Sequence, residues 1–211
     1  MAISDDFIIE LEAIISKEKI DILLIGTDTE LPIISKNKVR LESAYNLRIV
    51  VAPEEAIHIA DDKWLTAKFL RENNFPYPKS AMANDDDEVE QLLCQTEYPY
   101  LAKPIDGAPS RGLVIINTKE DLKEVCSYKN NLVIQELIPE EGGEYTSGCL
   151  VIKEKCVSVV TLRKDLRDGN TARTYRDKDS GRFDDIIADI AVQLKIEGPC
   201  NFKKKLEIMS R

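Results

Sequence analysis

The sequence predicts an α/β chain in two parts. Residues 1–60 read as an incomplete parallel αβ lobe, and residues 61–211 as a lobe of helices and antiparallel strands. Three observations predict this. Residues 5–52 alternate helical and strand-like apolar patterns. The stretch Tyr98-Pro-Tyr-Leu-Ala-Lys-Pro-Ile-Asp-Gly-Ala-Pro-Ser-Arg-Gly-Leu-Val-Ile-Ile-Asn117 reads as strand, lysine, glycine loop, strand. Residues 144–152 and 156–163 are two strand-like runs joined around Lys153-Glu-Lys155, the pattern of a hairpin.

Taken in order, residues 5–17 carry Phe7, Ile8, Leu11, Ile14 and Ile15 at helical spacing. Asp21-Ile-Leu-Leu-Ile-Gly26 is an apolar run closed by a glycine, as in a short buried strand. Residues 31–43 look helical and residues 48–52 form another strand, which together make half of a parallel αβ unit. No G-x-G-x-x-G follows the first strand, so a dinucleotide-binding fold has no support. Residues 61–74 read as one helix, opened by acidic residues, with Trp64, Ala67 and Leu70 on one face. Trp64 is expected in the core. Phe75-Pro-Tyr-Pro78 is a rigid extended link, because each proline fixes φ and disfavours helix before it.

Residues 85–95 and 119–127 have helical patterns, and residues 132–138 form a strand broken by Pro139-Glu-Glu-Gly-Gly. Residues 164–182 are polar and without periodicity, so a long loop is expected there, of a kind that is usually functional or mobile. Residues 183–195 return to helical spacing, and residues 197–202 open a further strand.

Composition narrows the function. The 211 residues include 29 Lys plus Arg against 38 Asp plus Glu, a formal charge of −9. That balance argues against nucleic acid and anionic membrane as partners, which need a basic face. It leaves room for an anionic ligand held by a few cations in a cleft. The five cysteines (Cys94, Cys126, Cys149, Cys156 and Cys200) include no C-x-x-C pair, so reduced thiols and a cytoplasmic location are expected. The opening residues lack a cationic n-region and no apolar run reaches about 18 residues, so neither signal peptide nor membrane span is expected. The lone histidine, His58, is assigned to packing or surface.

The chemistry centres on Lys103. A lysine ending an apolar strand has no packing role there, and the glycines after it free backbone N–H groups to face an anion. Lys63, about forty residues earlier on another element, could clamp a polyphosphate from the other side, although first-turn lysines are common. Residues 136–138 could pair their backbone with a base, and Glu144 could take the hydroxyls of a ribose. Arg163 and Arg173 stand in the polar stretch, which reads equally well as a solvated, charge-balanced loop.

This order resembles the ATP-grasp superfamily, and within it the branch similar to the carbamoyl phosphate synthase large subunit. Asp62-Lys63, a helix and then Phe75-Pro-x-Pro78 resemble the family's opening segment. Tyr98-Pro-x-x-x-Lys-Pro104 with Gly107-x-x-Ser-Arg-Gly112 resembles its phosphate hairpin. Val133-Ile-Gln-Glu-Leu-Ile138 with Gly143-Glu-Tyr-Thr146 resembles its adenine hinge and ribose acid. Arg163-x-x-Leu-Arg-Asp-Gly-x-Thr171 is similar to a loop near the acceptor.

The resemblance implies an ATP-dependent carbon–nitrogen ligase that activates a small carboxylate as an acyl phosphate for attack by an amine or ammonia. It assigns ATP binding to Lys63, Lys103, Gly107, Ser110, Arg111, Gly112, Gln135, Glu136, Leu137, Ile138 and Glu144, and catalysis to Arg163 and Arg173. It also implies Mg2+, for which the sequence offers no ligands: the family's segment similar to Glu-x-Asn-Pro-Arg has no counterpart. Pro109 stands where the loop usually has glycine, which removes one N–H donor. The chain is therefore expected to be the middle of a longer protein, truncated at both ends. Whether a homodimer or a partner polypeptide completes it stays open. So does the alternative of a nucleotide-binding remnant without turnover.

Overall fold

The computed structural model describes residues 6–105, 112–127, 131–139, 142–167 and 170–205. It divides into two compact units, one of residues 1–58 and 146–203, the other of residues 59–145 and 204–211. Compactness thus partitions the chain differently from the expected 1–60 and 61–211, because strands late in the sequence share a core with the N-terminal segment. The elements in chain order are α1 (Phe7–Glu18), β1 (Ile22–Leu24), α2 (Leu31–Tyr45), β2 (Arg48–Val50), α3 (Glu54–Asp61), α4 (Lys63–Glu72) and β3 (Ser80–Met82). There follow α5 (Asp86–Gln95), β4 (Tyr100–Pro104), β5 (Val114–Ile116), α6 (Lys119–Ser127) and β6 (Leu132–Glu136). Last come β7 (Glu144–Ile152), β8 (Lys155–Arg167), β9 (Asn170–Tyr175), α7 (Asp184–Gln193) and β10 (Gly198–Lys205).

In the first unit, β1 and β2 pair in parallel, with Ile22 opposite Arg48 and Leu24 opposite Val50, as the αβ pattern implied. Ile15, Ile34, Leu41, Leu47, Ile49 and Val51 form the core between α1, α2 and β2. α1 and α2 both stop on a left-handed residue, Lys19 and Asn46. A second sheet runs in the order β10-β7-β8-β9. Alternation along β7 puts Cys149 and Val151 against Ile187 and Ala191 of α7 and Ala56 of α3, while Leu150 and Ile152 stay exposed. This shared core joins residues 52–56 to the late strands. At the start of β10, Gly198 has φ +103, and a Cβ there would lie 3.0 Å from Val50 Cγ1, so only glycine fits without a shift.

The expected loop at 164–182 is corrected: β8 continues to Arg167, and β9 returns antiparallel beside it, with a register shift between Asp165 and Leu166. Its periodicity is hidden because both faces carry polar residues, held instead by cross-strand charge pairing.

The second unit is built on a sheet of order β3-β6-β4-β5, with β6 antiparallel to both β3 and β4. One face presents Ala81, Tyr100, Ala102, Ile116 and Ile134 to Val89 and Leu92 of α5 and Leu122 and Val125 of α6. Both helices begin on acid-rich turns, α5 capped by Asp85 and α6 by a reciprocal box between Thr118 and Asp121.

The helix expected over 61–74 is α4, and the helix that precedes it, α3, has no counterpart in the sequence reading. Asp62 is extended, and its carboxylate accepts from the N–H groups of Trp64 and Leu65 at 2.8 and 2.9 Å, starting α4 afresh. Trp64 is only half-buried and carries the Arg71 guanidinium 5.5 Å from its ring centre, so it is not the core residue expected. His58 lies exposed on α3. Among the described residues no helix is long and apolar enough to cross a membrane.

Candidate functional site

The sheet of the second unit has one face committed to its core. Side chains alternate along a strand, so Leu101 and Lys103 of β4 turn to the opposite face from Tyr100 and Ala102. Gln135 of β6 lies opposite both Leu101 and Ser80, which places Ser80, Gln135 and Lys103 on that same second face. There Lys103 Nζ donates to Gln135 Oε1 at 2.6 Å, and Gln135 Nε2 donates to Ser80 Oγ at 2.8 Å. Ser80 in turn donates its proton to the Pro78 carbonyl at 2.7 Å. A lysine and an amide on the face of a sheet, away from its core, are available for ligand chemistry in a way that core residues are not.

Lys63 reaches the same end of this unit. Its backbone N–H donates to the carbonyl of Ile105 at 3.0 Å, and its ammonium donates to the same oxygen at 3.4 Å. Ile105 lies two residues beyond Lys103, so both lysines stand at the base of the glycine loop. On the far side of that loop Gly112 has φ +73, and a Cβ there would meet the ring of Pro104 at 3.3 Å. Gly107, Ser110 and Arg111, together with Pro109, lie outside the described residues.

The hinge after β6 is tied to neighbouring strands. Glu136 donates its N–H to the Lys79 carbonyl at 2.9 Å, and its carboxylate accepts from the Lys79 N–H at 2.6 Å. Leu137 donates to the Pro99 carbonyl at 3.4 Å. Leu137 and Ile138 lie past the end of β6 rather than within it. Glu144 opens β7 behind Gly143, whose φ is +83, and its side chain is half-buried.

Arg163 and Arg173 belong to the first unit, on the β8–β9 hairpin, and each meets a carboxylate. Arg163 Nη1 lies 3.3 Å from Asp177 Oδ2, while Asp177 Oδ1 accepts from the Asp179 N–H and the Ser180 hydroxyl. Arg173 Nε donates to Asp165 Oδ2 across the strands. That bond holds the Asp165 carboxyl below its ordinary range, and Asp165 raises the guanidinium in return. Each arginine already faces an internal anion.

The sequence reading missed Ser80 and Asp177. Neither carries a motif signal, because each acts on a side chain brought in from another strand; Ser80 and Gln135 are separated by 55 positions. As to Mg2+, no group of three or more His, Cys, Asp or Glu side chains among the described residues is arranged to hold a metal ion.

Comparison with known proteins settles the family. The profile of the ATP-grasp domain matches residues 60–187, and the chain belongs to the ATP-grasp family. It is 25% identical to the carbamoyl phosphate synthase large chain of Clostridium acetobutylicum, over 92% of this chain and 20% of that one. It is 30% identical to a probable alpha-L-glutamate ligase of Coxiella burnetii, over 52% of this chain and 37% of that one. Among solved structures, biotin carboxylase from Campylobacter jejuni aligns with a TM-score of 0.72 at 13% identity, covering 97% of this chain and 50% of that chain. VanG D-Ala:D-Ser ligase from Enterococcus faecalis aligns with a TM-score of 0.66 at 17% identity, covering 89% and 60%. At such identities the structural likeness speaks for the fold alone. The chain spans from 20% to 52% of the length of the curated relatives that it matches first. The resemblance read from the motifs, to this family and its carbamoyl-phosphate-synthase-like members, holds.

Proposed function

We propose that this chain binds ATP as the nucleotide-holding part of a carboxylate–amine or carboxylate–ammonia ligase. The observation that carries the reading is the pair of hydrogen bonds from Lys63, through its backbone N–H and its ammonium, to the carbonyl of Ile105, two residues beyond Lys103. In such a reaction a carboxylate oxygen attacks the γ-phosphorus, ADP leaves, and the nitrogen nucleophile then displaces phosphate from the acyl phosphate. Phosphoryl transfer of this kind depends chiefly on positioning and charge stabilisation.

In this reading Lys63, Lys103 and the N–H groups of the loop through Gly107, Ser110, Arg111 and Gly112 hold the phosphates. The backbone of residues 136–138 pairs with adenine. Glu144 takes the ribose. The named relatives, a carbamoyl phosphate synthase and glutamate ligases, support a small carboxylate as the second substrate. No step is assigned to magnesium.

Calorimetry with ATP on the wild-type chain and on Lys103→Ala tests this, with and without magnesium. Micromolar binding that is lost in the variant supports the nucleotide site; absence of binding to the wild type overturns it. A second reading, a nucleotide-holding module without turnover, is favoured by one observation: Arg163 and Arg173 are each engaged by a carboxylate. ATP-dependent phosphate release on adding carboxylates would favour the ligase, and binding without release the module.

A further inference from the structure

We infer that Gln135 and Ser80 are positioning residues for Lys103, forming a relay that aims the phosphate-binding ammonium from a fixed point of the backbone. The inference rests on the nucleotide-binding reading and gives Gln135 a role other than contact with the base.

The argument follows the protons. The Pro78 carbonyl can only accept, so the Ser80 hydroxyl spends its single proton there at 2.7 Å. Its oxygen then has only lone pairs left for Gln135 and must be met by the amide NH2, at 2.8 Å. This sets the orientation of the amide and turns Oε1 towards Lys103, whose ammonium donates to it at 2.6 Å. Each link determines the next. A backbone carbonyl on the link before β3 therefore fixes where the Nζ of a β4 lysine sits, through the side chain of the β6 strand between them.

The chemistry explains why this arrangement suits a phosphate lysine. A lysine side chain has several free torsions, and ordering them on ligand binding costs conformational entropy. Anchoring Nζ beforehand removes part of that cost. A neutral amide is the appropriate anchor: it accepts one of the ammonium protons without cancelling the charge. A carboxylate in its place would compete with the ligand. The sheet supplies rigidity, since all three side chains stand on paired strands rather than on the loop.

The test uses the full chain, with Gln135→Met, Ser80→Ala, Ser80→Thr, Lys103→Met and the Gln135→Met/Lys103→Met pair. Calorimetry compares ATP with AMP, which lacks the β- and γ-phosphates. Gln135→Met and Ser80→Ala are expected to weaken ATP roughly tenfold, the scale of one charge-assisted hydrogen bond, and to leave AMP unchanged. Ser80→Thr, which keeps the hydroxyl, restores ATP affinity. On the Lys103→Met background, Gln135→Met adds no further loss. Equal loss of ATP and AMP, or losses that multiply in the double variant, would overturn the relay.

A second measurement needs no nucleotide. The 15N-detected order of the Lys103 ammonium should fall in Gln135→Met and Ser80→Ala and recover in Ser80→Thr. Unchanged order overturns the relay even where ATP binds. Changed order in a chain that binds no ATP overturns the nucleotide reading and leaves the relay standing.

Discussion

The carbonyl of Ile105 holds the first residue of α4 twice, once through the backbone N–H of Lys63 and once through its ammonium. The two bonds separate two roles of one residue. The backbone bond docks the helix whatever the side chain is, while the ammonium is the part that a ligand can use.

Lys63→Ala should therefore keep the fold and lose the ligand. Its stability is expected to change by no more than about 1 kcal/mol, the net worth of one exposed-to-half-buried hydrogen bond, while ATP affinity falls about tenfold. Urea unfolding and calorimetry on the same variant check both halves. A large stability loss with unchanged ATP binding would make Lys63 a structural residue only.

Asp62 starts α4 by accepting from two N–H groups that no carbonyl of the helix can satisfy. Replacement by alanine is expected to cost about 1–2 kcal/mol, and replacement by asparagine much less. The midpoint of urea unfolding reads this out, and an unshifted midpoint for Asp62→Ala would refute the cap.

In the first unit the Thr161 hydroxyl gives its proton to Asp184 at 2.8 Å, so the buried Ser147 hydroxyl must donate to Thr161. Thr161→Val leaves the Ser147 hydroxyl, fully buried, without that acceptor. A loss of about 0.5–1.5 kcal/mol is expected, the net worth of one hydrogen bond. Adding Ser147→Ala should recover part of it. Full additivity of the two single changes in a double-mutant cycle would count against the chain of bonds.

Burial, with Cys200 beside it at 3.0 Å, pushes the Cys149 thiol well above its ordinary 9.0. The folded chain thus keeps a proton that the unfolded chain releases above about pH 9. The associated stability is complete below that pH and is lost as pH rises towards the folded value. Unfolding measured from pH 7 to 10.5 should show a steeper alkaline loss for the wild type than for Cys149→Ala. Parallel curves would remove Cys149 as the cause. In the native state a thiol reagent should react with exposed Cys94 first and with Cys149 last.

The helices were legible where their signals are local. α1, α5, α6 and α7 each follow from apolar spacing and the residues at their ends, which act within a turn or two of chain. The parallel β1–β2 pair and the β7–β8 hairpin were legible for the same reason. α3 was not: its eight residues show only the short apolar run Ala56-Ile-His-Ile-Ala60, too brief to display a helical period. Nor was β9, whose residues are polar on both faces and are ordered by the Asp165–Arg173 pairing across strands.

The sequence by itself determined most of the helices and strands, though not α3, β3 or β9, together with the lysine-and-glycine motif and, through the order of its motifs, the family. Only the tertiary structure decided what those residues touch. It brought Lys63 to Ile105, set Lys103 on Gln135 and Ser80, and gave Arg163 and Arg173 their carboxylates. The reason is physical: periodicity and capping depend on neighbours a few residues away, whereas a cross-strand contact depends on register. Register is set by the packing of whole faces, and a shift of one residue would turn Lys103 into the core.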